Sequence, residues 1–132
     1  SRGLGDVYKR QHAGWRGLAA GVLENTVLAL ETQPDQLLAW IGPAISQPNF
    51  EVGDDVRNAF VSRDPAASGA FAANARGRWQ ADLVALARQR HTRAGDKHIS
   101  GGRWCTYGDA ERLYSYRKDP ACGRLVSFIL LK

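Results

Sequence analysis

At 132 residues, 44% hydrophobic and 23% charged, the chain has the make-up of one globular domain or part of a larger one. No apolar run nears the roughly 20 residues that span a bilayer, no apolar leader is visible, and two cysteines, Cys105 and Cys122, are too few for a disulfide scaffold. The net charge of +5 is scattered over the chain, not clustered, which argues against nucleic acid and is matched equally well by small anionic substrates.

Residues Ser1–Gln11, SRGLGDVYKRQ, show neither strand nor helix periodicity. They read as a frayed, polar leader. The alternative is a stretch not native to the fold, since the string resembles translated sequencing-adaptor sequence. Next comes His12-Ala13-Gly14-Trp15-Arg16-Gly17. Residues Gly17–Leu30 are predicted to form one helix, with Leu18, Val22, Leu23, Val27 and Leu30 on its apolar face. Thr32–Asp35 breaks it. Leu37–Ile41 reads as a short buried strand ended by Gly42-Pro43.

Asp54 is placed to cap a short helix through Phe60, with Val56, Ala59 and Phe60 inward. Ser62–Gly77 is rich in Ala, Ser and Gly and reads as a mobile loop. A second long helix is expected over Gln80–Arg93, with Leu83, Leu86 and Ala87 inward and Gly95 as its stop. Lys97–Ser100 suits a short strand. Leu113–Arg117 and Arg124–Leu131 suit a hairpin closed by Lys118–Gly123. Helices alternating with strands and a closing hairpin predict an α/β or α+β layered fold with a mixed sheet and flanking helices.

The chemistry concentrates around His12. A histidine can ligate a metal or move protons near neutral pH. Gly14 and Gly17 allow a tight turn and close approach to a ligand. Arg16, at a helix start, carries a charge the helix dipole disfavours unless an anion sits there. A packed or surface role is the plain alternative for both, and Trp15 suits core or pocket wall. Zinc needs three or four ligands, yet His91, His98, Cys105 and Cys122 show no close metal-type spacing to His12. Cys105 reads as a small, buried hydrophobe, since no base stands beside it in the sequence. In the cluster Tyr114–Asp119, Lys118 suits the surface and Arg117 could face a pocket.

Four stretches carry a family resemblance: HAGWRGLAAGVLENTV at 12–27, WIGPAISQPNFEVGDDVRNAF at 40–60, WQADLVALARQR at 79–90 and CTYGDAERLYSYRKDPACGRLVSFILL at 105–131. Together they resemble the laccase-domain, or multicopper polyphenol oxidase, family of YfiH-like proteins, now usually described as purine nucleoside phosphorylases. The resemblance implies a mixed α/β fold of about twice this length. It makes residues 12–132 the C-terminal half of the family domain. It also implies a zinc site of two histidines and one cysteine. His12 matches the last of these ligands, and the other two lie upstream of this chain. Cys105 matches a later Cys-Thr motif and is not the metal-binding cysteine.

The activity implied is zinc-dependent phosphorolysis of adenosine, inosine or methylthioadenosine, with adenosine deamination beside it. His12 and Arg16 would be catalytic, Arg16 and Arg117 would bind phosphate, and His12 would bind metal. The partners would be purine nucleosides and phosphate, in the cytoplasm, without nucleic acid or membrane. Copper-dependent oxidation of phenols is the alternative, poorly served by three histidines and no methionine. A non-catalytic or editing role in cell-wall precursor metabolism is a third. No oligomeric state is specified.

Overall fold

The computed structural model describes residues 9–109, 111–115, 117–119 and 121. Helices α1 (Trp15–Ala20) and α2 (Val22–Leu28) come first, then strand β1 (Leu38–Ile41). Strand β2 (Glu51–Val52), helix α3 (Asp54–Val61), strands β3 (Phe71–Ala73) and β4 (Trp79–Ala81), helix α4 (Leu83–Arg93) and strand β5 (His98–Gly101) follow. The expected α/β layering is present, with both kinds of strand pairing. They occupy separate sheets: β1 pairs with β5 in parallel, whereas β4 lies between β2 and β3 in an antiparallel sheet.

The single helix expected over Gly17–Leu30 is two. Gly21 interrupts it with φ +92°, closing α1 and opening α2 at once. Such a backbone favours glycine, so the apolar period runs through while the helix does not. Leu18, Leu23 and Val27 are buried, as their spacing predicts, but Leu30 lies beyond the helix end. Asp54 is not a cap. Gly53 holds that position, and the Asp54 carboxylate accepts a hydrogen bond from the Trp79 indole at 2.7 Å.

The segment Ser62–Gly77 is ordered, not a loose loop. Pro65–Ala70 forms a 3-10 turn capped by the Asp64 side chain, and Phe71–Ala73 pairs with β4. Its small residues pack: Ala67 and Ala70 are buried with Phe71. The helix expected from Gln80 starts at Leu83, because Trp79–Ala81 is drawn into the antiparallel sheet. Asp82 then caps it, accepting from the Ala85 N–H at 2.8 Å, and Gly95 at φ +98° closes it. Leu113–Ser115 is not a strand. The second strand of that hairpin, Arg124–Leu131, lies outside the described residues.

One core joins α1, α2, α3, α4 and the antiparallel sheet, centred on Phe60, Leu18 and Leu86. Phe60 and Phe71 meet tilted, with ring centroids 6.0 Å apart. Trp15 and Ile41 pack against this core from the edge. Trp15 thereby ties the His12 loop to the body of the fold.

Candidate active site

His12 lies in an irregular segment just before α1, and its side chain is exposed. It is not packed among the aliphatic residues of α1 and α2. Its ring folds back toward Gly14: a Cβ at that position would lie 3.4 Å from His12 Nε2. Gly14 is the N-cap of α1, in extended backbone, and that distance is an ordinary van der Waals contact.

Arg16 follows on the first turn of α1, also exposed, with its guanidinium 4.5 Å from the centre of the Trp15 ring. The cation–π contact itself offsets part of the charge at the helix start, so an anion is not the sole compensation open to it. The first turn holds no acidic residue. The free edge of the guanidinium remains available for a ligand.

Arg117 belongs to another region. It stacks over the Phe50 ring at 5.0 Å and donates to the Glu51 carbonyl at 3.2 Å. No hydrogen bond or ion pair among the described residues links it to His12 or Arg16. Lys118 lies on the surface against Tyr107, as expected.

The described residues do not by themselves make a zinc site. No group of three or more His, Cys, Asp or Glu is placed to hold a metal among them. His91 is engaged by the buried Asp96 carboxylate at the end of α4. His98 is exposed on β5, the fifth strand. His12 therefore stands as an isolated imidazole.

Cys105 is the residue whose environment sequence reasoning missed. It is half-buried, and its Sγ accepts from Ser46 Oγ at 2.9 Å, Gly108 N–H at 3.2 Å, and Ser46 N–H and Asn49 Nδ2 at 3.4 Å each. Partial burial pushes the thiol up, but the Ser46 hydroxyl, the Gly108 and Ser46 amides and the Asn49 amide together outweigh it, lowering it to about 6. The loop is positioned by a parallel bridge between Ala44 and Cys105, with Ala44 N–H donating to the Trp104 carbonyl and Thr106 N–H to the Ala44 carbonyl. Only Gly108, three residues away, is a local donor. The others arrive from a segment 56 and 59 residues distant. Four donors, and no base among the groups that contact it, stabilise the thiolate form of this sulfur.

Comparison with known proteins places this architecture. The sequence model of the multi-copper polyphenol oxidoreductase laccase family matches residues 5–132. The chain belongs to this family. It is 50% identical over 120 residues to the purine nucleoside phosphorylase YfiH of Escherichia coli K12, covering 91% of this chain and 49% of that protein. A purine nucleoside phosphorylase of Xylella fastidiosa is 52% identical over 118 residues, covering 88% and 45%. Among solved structures, a DUF152-family protein of Neisseria meningitidis superimposes with a TM-score of 0.81 at 47% identity, covering 83% of this chain and 46% of that one. The chain thus spans about half the length of the relatives it matches. No helix among its described residues is long and apolar enough to cross a membrane.

Proposed function

We propose that this chain is part of a purine nucleoside phosphorylase acting on adenosine, inosine or methylthioadenosine, with adenosine deamination as a related activity. The observation that carries the reading is the 50% identity, over 91% of the chain, to a protein named for that activity. In phosphorolysis a phosphate oxygen attacks the ribose C1′. The bond from C1′ to the purine nitrogen breaks, and the base leaves with the proton that phosphate gives up.

In this reading Arg16 holds phosphate. Its planar fork suits two phosphate oxygens, and stacking on Trp15 fixes its plane. Arg117, stacked on Phe50 and bonded to the Glu51 carbonyl, is not brought to Arg16 by the described residues, and its part in phosphate binding rests on the family resemblance alone. His12, exposed four residues before Arg16, offers an imidazole that can bind metal or pass a proton. The zinc implied by family resemblance would take His12 as one ligand, the others lying outside this chain. Nucleosides and phosphate are the partners, and the cytoplasm is the setting. Copper-dependent phenol oxidation is the alternative, and three histidines with no methionine in the sequence serve it poorly.

The test is a full-length polypeptide carrying these residues, supplied with nucleoside and inorganic phosphate. Free purine should appear only when phosphate is present. Absence of purine release at saturating phosphate overturns the assignment.

A further inference from the structure

Helix α1 carries Arg16 on its first turn, yet it is only six residues long. A helix that short is marginal by itself. It rises only about 9 Å, so a tilt at its last turn is felt at its first. It ends at Gly21, where α2 begins. A left-handed glycine brings no side chain to fix the angle of this elbow. The angle is set from elsewhere in the chain.

Two guanidiniums from distant elements grip the elbow on either side of Gly21. Arg63, two residues past α3, donates from Nη1 to the Ala19 carbonyl at 2.8 Å. The carbonyls of a last helical turn lack partners within the helix; the Gly21 N–H takes those of Gly17 and Leu18, and Arg63 takes that of Ala19. A positive charge at this end also suits the helix dipole. On the other side, Arg90 of α4 donates from Nη1 to Glu24 Oε1 at 2.9 Å. Glu24 lies in the first turn of α2, and its Oε2 would be 3.7 Å from a Cβ on Gly21. Arg90 is buried and lies over the Phe60 ring at 5.8 Å, so this grip is anchored in the core. Among the described residues, no other side chain from outside α1 hydrogen-bonds to it.

We propose that Arg63 and Arg90 are positioning residues that clamp the α1–α2 elbow and so hold Arg16 in place for phosphate. The proposal rests on the reading of Arg16 as the phosphate contact. Loss of the Arg63 bond frees the end of α1, while the buried Leu18 and Ala19 keep the helix docked. The chain stays folded and α1 rocks on Gly21. Arg16 then loses its fixed place, which weakens phosphate binding more than nucleoside binding.

Arg63 is the residue to test, because it is exposed, whereas Arg90→Ala would strip the partly buried Glu24 of its partner. In this chain, the amides of Leu18–Gly21 should exchange with solvent about fivefold or more faster in Arg63→Ala than in the parent, with α4 unchanged. Arg63→Lys keeps a donor and a charge and should restore most of the protection. In a full-length polypeptide carrying these residues, Arg63→Ala should raise the KM for phosphate about threefold or more, with little change in the KM for nucleoside. Arg63→Lys should bring it back toward the parent value. A loss of stability alone would lower the active fraction and leave both KM values in place. Parent-like exchange at α1, or faster exchange spread equally over α1 and α4, overturns the clamp. A parent-like phosphate KM in Arg63→Ala, where Arg16→Ala raises it, overturns the positioning role. If Arg16→Ala itself leaves that KM unchanged, the phosphate reading of Arg16 fails, and the exchange result alone decides the clamp.

Discussion

The thiol of Cys105 shows how much chemistry a single residue draws from distant neighbours. Its folded value near 6 predicts a pH profile. With Cys122→Ser removing the other cysteine, alkylation of Cys105 by iodoacetamide should reach half its maximal rate near pH 6, against about 9 for an unperturbed thiol. Ser46→Ala removes the shortest donor and should move the midpoint upward; an unchanged midpoint would remove Ser46 as a cause. The linkage has a definite sign. A folded value below the unfolded one stabilises the fold at high pH, and that contribution fades as pH falls from about 9 toward about 6. In the sequence, Cys105 could be read only as a small hydrophobe, because Ser46 and Asn49 approach it through the fold. His12 was the opposite case. Its neighbours Ala13 and Gly14 already indicated a turn, and its exposure follows from them.

Arg16 also belongs at this scale. Stacking on Trp15 leaves its fork open. In a full-length enzyme, Arg16→Ala should raise the KM for phosphate about tenfold or more, the loss of one charge-assisted contact of about 1.5–3 kcal/mol. The KM for nucleoside should change less. A phosphate KM equal to that of the parent enzyme would contradict the phosphate-binding role.

Among the elements, α4 was the most legible. Asp82 and Gly95 bracket it, and both do what their residue types favour. Asp82→Ala should cost about 1 kcal/mol in chemical denaturation through the lost cap. The short strands were opaque for a physical reason. Two- or three-residue segments such as Glu51–Val52 and Phe71–Ala73 hold too little pattern to show a period, and their order comes from pairing with β4. The contact between β1 and β5 rests on a glycine. A Cβ on Gly101 would lie 2.2 Å from the Ile41 carbonyl oxygen, and φ there is +84°. Gly101→Ala should therefore cost about 3 kcal/mol, the upper end of ordinary point substitutions. A loss below 1 kcal/mol would show that β5 shifts freely. β1 itself was found correctly as a strand but wrongly as a buried one: its hydrophobic run signals burial on both faces, and one face meets solvent here.

For the whole molecule, the layered α/β character was visible in the alternation of helix and strand patterns, and it matches solved family members. The division into two sheets was not visible, because it depends on which distant strands meet. The family was legible through the stretch around His12 and Arg16 and the three later stretches, while the described residues by themselves assemble no metal site. The central claim is that a full-length polypeptide containing this chain cleaves purine nucleosides with phosphate. The most direct measurement follows inosine and phosphate by ³¹P NMR while free base is quantified. The account predicts ribose 1-phosphate and hypoxanthine in equal amounts, both dependent on added phosphate. Free ribose in place of the sugar phosphate, or intact inosine throughout, would contradict it.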